Sequence, residues 1–492
     1  MLFLLASSPM SFLGLTAVGL WLWWWTRRPP TLPPGPPLVP FLGNLLSLDT
    51  TDPRKTFRKL RRKYGDIYSI YIFNKPVIVL NGYNILKDAL VRHADVFSSR
   101  PSSFLTDHLL GGRGIVGTSG ITWREHRRFA VRTLKELASK SNMLETNVNH
   151  EVSQLLASIE NEGGSGFDCK RMVFTAVANV MSSVVFGKRY DHNDPLFLKV
   201  LSCMQENVAS FGAASILNIF PVVRYLPGDI FKFKRILANL AFTEHEFIHP
   251  MINDHMDCYD EEHIHDFTSA FIKEMRHHNG ESTTMSIPDL QASVLDLFGA
   301  GSETTATLLR WAFALFLNYP HVQDKCFREI EEYIGPSRKP SMADVPNLPY
   351  MEATITELVR YANIVPTGVP HAVSRDFHFH GYTFPADVMI LPILDSVLHD
   401  EALWGDPYNF RPQRFLDEDG RFVKKDEFIP FSLGRRACLG ESLARMELFL
   451  FLTGMLQKYR FEGVPDLVPS LIPVCGIVFS PKPFIVKAVP RT

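Results

Sequence analysis

One cysteine in this 492-residue chain stands apart from the other five. Cys438 lies in F-S-L-G-R-R-A-C-L-G, where Phe431, Gly434, Arg436, Cys438 and Gly440 follow the spacing F-x-x-G-x-R-x-C-x-G. These residue types suit a flat cofactor with an anionic edge. Glycine lets backbone approach a plane where a side chain would collide, and arginine supplies a fixed positive charge for a carboxylate. A thiolate in such a loop can be the axial ligand of haem iron, the ligand that pushes electron density toward O–O cleavage. A lone intracellular cysteine is more often a small buried hydrophobe, but five specified types within ten positions point the other way. Cys169, Cys203, Cys258, Cys326 and Cys475 form no C-x-x-C or C-x-x-H cluster. That argues against zinc and against a disulfide framework, and those five read as reduced, structural residues.

Further constellations lie elsewhere. A-G-S-E-T-T, Ala300 to Thr305, places Glu303 and Thr304 in an otherwise apolar run. The plain alternative for Thr304 is a hydroxyl bonding back to the carbonyl four residues earlier. Glu357 and Arg360 stand three apart in T-E-L-V-R and so share a helical face. Such a pair is ordinarily a surface ion pair of small worth. W-R-E-H-R puts Trp123 and Arg127 four apart, F-S-S-R-P contains Arg100, and V-P-H-A-V-S-R-D contains His371.

With F-R-P-Q-R-F at Phe410 to Phe415 following T-E-L-V-R, this set resembles the cytochrome P450 family, in its microsomal drug- and steroid-metabolising (family 2-like) branch. The resemblance covers essentially the whole chain. It implies a mainly α fold with small β-sheets (α+β), haem b as cofactor and Cys438 as the iron ligand. Thr304 would direct proton delivery to oxygen, with Glu303 on the same path. Arg100, Trp123, Arg127, His371 and Arg436 would contact the haem propionates. Glu357, Arg360 and Arg414 would form a buried brace for the haem loop, with Gln413 where the family usually has glutamate. Phe211, Phe298, Ala300, Ile364, Val365 and Val478 would face a lipophilic substrate, which a largely apolar pocket favours. The implied reaction inserts one atom of O2 into a C–H bond. Electrons would come from NADPH through the flavoprotein P450 reductase of the endoplasmic reticulum, with cytochrome b5 a further partner. No G-x-G-x-x-G unit follows a strand, so the reductase is a separate protein. Arg124, Arg128, Arg132, Lys135 and Arg435 are candidates for docking it. A haem-thiolate isomerase or dehydratase acting on peroxides is disfavoured by Thr304, and a haem sensor or carrier is the non-enzyme alternative.

Several elements must position these residues. From Met1 to Trp25 no side chain is charged, and the run ends W-L-W-W-W before Arg27 and Arg28. As a helix it would span roughly 37 Å, enough for a bilayer core. The tryptophans suit the interface, and the arginines place the body on the cytoplasmic side. A cleaved signal would instead want a basic start and small residues at its end. The reading is therefore an anchor over 1–25, a proline-rich hinge over 26–40, and a haem-thiolate domain over 41–492. P-P-T-L-P-P-G-P-P makes a stiff, extended spacer. Residues 66–80 read as a hairpin turning at Asn74–Pro76, with further β segments near 372–391 and 471–488. The rest past Asp95 reads as mainly helical. Ile287 to about Asn318 reads as one helix of roughly 48 Å. Ser286 and Asp289 suggest a capping box, Pro288 sits in the first turn, and Pro320 follows the end. Asp289, Asp296, Glu303 and Arg310 argue for a buried core helix and against a second membrane span. With 51 basic and 52 acidic residues, the net charge of −1 argues for no nucleic-acid partner.

Overall fold

The computed structural model describes Thr16, Gly19, Leu20 and residues 27–49, 51–139, 142–277, 283–464 and 468–491. The expected anchor therefore lies almost wholly outside the described residues. Among those described, no helix is long and apolar enough to cross a membrane. The chain divides into two compact units: Met1–Pro101 with Pro366–Val397 and Leu433–Arg436, and Ser102–Val365 with Leu398–Ser432 and Ala437–Thr492.

The first unit is built on a four-stranded sheet. Helix α1 (Pro53–Tyr64) starts at Asp52, whose side chain accepts the Arg54 N–H, and has proline in its first turn. Strands β1 (Ile67–Ile72) and β2 (Lys75–Leu80) pair antiparallel, Ile67 opposite Leu80. The hairpin turns one residue earlier than expected, at Phe73–Asn74, with Phe73 at φ 56°. Pro76 lies inside β2 but before Val77, where pairing to the next strand begins. Its missing N–H thus costs the sheet no bond on that side. Strand β3 (His371–Ala372), the small hairpin β4 (Phe377–Phe379) and β5 (Tyr382–Phe384), and β6 (Met389–Pro392) follow. The sheet order is β1-β2-β6-β3. Phe57 and Leu60 of α1 pack with Tyr68, Ile70, Val77, Val79 and Ile393. The proline-rich segment is fastened to β1, with the Ser69 N–H and hydroxyl donating to Pro34 O and Pro33 O.

The second unit is helical, with one large apolar core. Its long helices are α2 (Gly120–Ser139), α3 (Asn142–Asn161), α4 (Lys170–Phe186), α5 (Pro195–Ala214), α6 (Ile287–Asn318), α7 (Pro320–Tyr333), α8 (Pro349–Ala362) and α9 (Glu441–Lys458). Strands β7 (Tyr459–Gly463) and β8 (Val486–Pro490) pair antiparallel beside them. Helix α6 has the limits expected from sequence, and its residues from Thr305 to Phe316 are buried. Its capping box does not form. Ser286 offers its hydroxyl to the Asp289 side chain instead of the backbone, and Arg113 also binds that carboxylate at 2.9 Å.

Candidate active site

The loop around Cys438 is shaped by backbone geometry. The Cys438 N–H donates to Phe431 O at 2.9 Å, and Ser432 and Gly434 both take positive φ to turn the chain. The two glycines of the motif have different reasons. A Cβ on Gly434 would lie 1.8 Å from Leu90 O, so that glycine is required by packing within the protein. A Cβ on Gly440 would meet no protein atom within 4 Å, which is the open approach a planar ligand needs. Gly440 is also the N-cap of α9, so the sulfur stands beside a helix N-terminus, an environment that favours thiolate.

Cys438 keeps solvent-accessible surface, although protein surrounds it closely enough that desolvation raises its pKa. The Gly440 N–H and the Arg127 guanidinium oppose that shift, while Glu441 adds to it. Arg127, half-buried on α2, donates to Ala437 O next to the cysteine, and Trp123 one turn earlier is buried. None of the six cysteines forms a disulfide, and burial pushes Cys169 and Cys326 up to about 12, where thiols are inert.

Arg100, His371 and Arg436 come together in the sheet unit. Arg436 Nε donates to Ser98 O at 2.8 Å, and Arg100 donates to Pro370 O at 2.6 Å. The Ala372 N–H donates to Ser99 O, which ties β3 to the same turn. His371 Nδ1 lies 2.6 Å from Phe97 O; a carbonyl only accepts, so Nδ1 carries the proton. Burial first, then Arg100 and Arg436, press its imidazolium down to about 3. Both charged groups that bear on this histidine are cations, so an anion placed among the three would be strongly held.

Helix α6 carries the oxygen-handling candidates. Thr304 Oγ1 donates to Ala300 O at 2.7 Å, leaving its lone pairs able to accept a further bond. Ala300 is exposed, and a Cβ on Gly299 before it would meet only the Met204 side chain, at 3.8 Å. Glu303 is half-buried with a pKa raised by desolvation, against the pull of Lys170, Arg310 and the Thr307 hydroxyl. Its Oε2 finds no hydrogen-bond partner among the described residues.

Glu357, Arg360 and Arg414 form a buried network. Arg360 holds Glu357 through two bonds of 2.7 and 2.9 Å and donates to Leu398 O and Pro407 O. Arg414 Nε reaches Glu357 at 3.0 Å, and the Arg411 N–H adds a fourth donor to that carboxylate. The Trp404 carbonyl accepts from Arg414, while its ring lies 5.3 Å from the Arg360 guanidinium.

The expected pocket residues divide. The Phe479 N–H donates to Ile364 O, which brings Val478 to the segment ending in Ile364 and Val365. Phe211 packs in a small separate cluster with Leu105, Leu217 and Phe233. Phe298 is fully buried among Phe186, Phe197 and Phe247, which makes it a core side chain and not a pocket wall. Arg132 is engaged by Glu274, whereas Arg124, Arg128, Lys135 and Arg435 are exposed.

Two acidic residues with unusual surroundings were not foreseen as site residues. Asp296 of α6 accepts the Ile115 and Val116 N–H groups at 2.7 and 2.9 Å, and desolvation lifts its carboxyl to about 6. Glu447 of α9 is buried, touches the Thr305 hydroxyl, and holds its proton up to about 8 because burial penalises the charge. The signal for both was one acid in an apolar helical run.

A cytochrome P450 family model matches residues 33–488 of this chain. The chain belongs to the cytochrome P450 family. This P450 is 39% identical over 470 residues to cytochrome P450 2K4 of Oncorhynchus mykiss, covering 93% of this chain and 92% of the relative. It is 39% identical over 478 residues to vitamin D(3) 25-hydroxylase of Sus scrofa (95% and 94% covered). To human cytochrome P450 2C8 it is 36% identical over 475 residues (95% and 96%). It is thus a family 2-like P450, an oxidoreductase that uses haem b, O2 and electrons from a redox partner on lipophilic substrates. Each unit by itself carries residues that fit a part of haem: the helical unit a thiol beside a helix N-terminus with open approach at Gly440, and the sheet unit a cationic group around His371 suited to carboxylates.

Proposed function

We propose that this P450 is a microsomal monooxygenase, anchored by Met1 to Trp25 with its catalytic part on the cytoplasmic side of the endoplasmic reticulum. Electrons come from NADPH through the P450 reductase, with cytochrome b5 as an additional donor. When bound, haem supplies the activation of O2; the rest falls to the protein's own side chains. Cys438 would hold the haem iron through its sulfur, and Arg100, Trp123, Arg127, His371 and Arg436 would hold the propionates. Thr304, whose hydroxyl is held by the Ala300 carbonyl, orients a proton donor, and Glu303, whose pKa burial raises, passes protons to it. The network of Glu357, Arg360 and Arg414 is structural, a brace for the loop that carries Cys438.

The observation that carries this reading is Cys438 itself: an accessible sulfur between the Arg127 guanidinium, the Gly440 N–H and the start of α9. Ala300, Ile364, Val365 and Val478, with Phe211 in its own apolar cluster, support a steroid, fatty acid or xenobiotic substrate. One relative's name, vitamin D(3) 25-hydroxylase, is in keeping with a large lipophilic molecule. Arg124, Arg128, Lys135 and Arg435 serve the acidic redox partner.

The test is reconstitution of the full chain with reductase and a panel of lipophilic compounds. NADPH consumption matched by hydroxylated product is expected. Charge reversal at Arg124 and Arg128 is expected to slow reductase-driven turnover in a salt-dependent way and to spare turnover driven by added peroxide. Equal loss in both assays would contradict docking, and haem binding without substrate-dependent NADPH use would contradict the monooxygenase reading.

A further inference from the structure

Helix α1 sorts its side chains into three stripes. Seven of its twelve residues are basic and none is acidic. Thr56, Phe57 and Leu60 are buried, the latter two on the sheet core. A second stripe is neutralised: Arg54 pairs with Asp52, Arg58 with Asp395 and Arg61 with Asp66. The third consists of Lys55, Lys59, Arg62 and Lys63, all exposed. At 100° per residue these four fall within roughly one quarter to one third of the helix circumference. Among the described residues none of them has a carboxylate partner. Lys63 lies over the Tyr64 ring, and Asp49, held down chiefly by the Thr51 hydroxyl, senses Lys55 only as its weakest influence. One helix thus satisfies every cation on its flank and leaves four in a row on its outer face.

The surroundings indicate what that face meets. Phe41 and Leu46, large and apolar, are 58% and 73% exposed on the segment just before α1. That segment is fastened to the helix, because Thr56 receives the Asp49 N–H and donates to Ser47 O. Arg28 is held on β1 by bonds to Pro36 O and Ser69 O, and β1 carries α1 through the Tyr68 hydroxyl bond to Phe57 O. Arg28 lies only three positions beyond the end of the apolar run at Trp25. Fully extended, those three steps span roughly 10 Å, about one Debye length at physiological salt. A chain held in a bilayer by Met1 to Trp25 therefore keeps this unit within electrostatic range of the headgroups.

We propose that Lys55, Lys59, Arg62 and Lys63 form a docking stripe for anionic lipid headgroups, flanked by Phe41 and Leu46 entering the interfacial layer. Cations on one face beside exposed apolar residues are what an anionic membrane surface recognises. The proposal rests on the membrane reading above and adds to it a lipid selectivity and a side of the molecule.

The test uses the full chain on vesicles of phosphatidylcholine alone or with about one third phosphatidylserine. Flotation with both vesicle types reports the N-terminal anchor; failure to float on phosphatidylcholine would sink the membrane reading by itself. Lysine acylation by a water-soluble reagent, read by mass spectrometry, reports the stripe. Labelling of Lys55, Lys59 and Lys63 is expected to fall about tenfold on serine-containing vesicles and to recover in about 0.5 M salt. Lys424, exposed on the helical unit, reports general shielding and is expected to be unchanged. In Lys59→Glu with Arg62→Glu, protection of Lys55 and Lys63 is expected to disappear while flotation persists. Equal labelling on both vesicles, protection surviving that double substitution, or protection appearing only with an acidic soluble protein would each overturn the proposal.

Discussion

Glu357 and Glu447 are the same residue type, both inaccessible, on helices of the same unit, and they face opposite chemistry. Two guanidiniums and a backbone amide surround Glu357. Glu447 meets a threonine hydroxyl, and its Oε1 has no hydrogen-bond partner among the described residues. A buried carboxylate given cations becomes a fixed brace, because removing either charge strands the other. A buried carboxyl without cations keeps its proton, because desolvation penalises only the charged form. Glu303 lies between these cases: cations at a distance, burial that outweighs them, and a position beside Thr304. Burial alone does not mark a functional acid; the charges packed around it do.

The largest effect is expected from the braced side. Arg360→Ala leaves Glu357 buried against one guanidinium and should cost about 3–5 kcal/mol. Urea denaturation, with haem retention as a second readout, should show a large loss; a shift under 1 kcal/mol would mean that the network carries no load. On the proton-holding side, Glu303→Gln should slow product formation by about a hundredfold. Thr304→Ala should divert O2 consumption into released peroxide. Unchanged coupling ratios in both variants would remove these residues from proton delivery.

Glu447 gives a pH signature of defined sign. An unfolded glutamate ionises near 4.5, while the folded residue keeps its proton to about 8. Between these values the folded state binds the extra proton, so stability falls as pH rises from about 4.5 to 8. Glu447→Gln should lose this dependence and gain on wild type by a few kcal/mol across that range, measured by urea midpoints. Parallel pH profiles would contradict the neutral buried acid. The smallest effect is expected at Asp296, whose carboxyl meets two amides and no cation. Asp296→Ala should cost about 1–3 kcal/mol and accelerate amide exchange at Ile115 and Val116.

Much of this was legible along the chain, and the failures share a cause. The limits of α6 could be read because Pro288 and Pro320 bracket it. Its cap could not, because Asp289 is claimed by Arg113, a partner 176 positions away. The grouping of Glu357, Arg360 and Arg414 was expected from spacing and resemblance together. Phe298 was expected at the pocket from the resemblance alone, which does not tell a core wall from a pocket wall on a helix buried on most sides; it packs fully buried among Phe186, Phe197 and Phe247. Glu447 sits between Met446 and Leu448 in an apolar run, and only three-dimensional packing shows what surrounds its charge. Gly434 was assigned to cofactor approach when the Leu90 carbonyl already requires it.

The most direct test of the whole account is the spectrum of the reduced, CO-bound protein, recorded for the full chain and for Cys438→Ser. The account predicts a Soret band at the thiolate-ligated position in the first and its loss in the second. A thiolate-type band that survives Cys438→Ser, or one that never appears in the native chain, would contradict it.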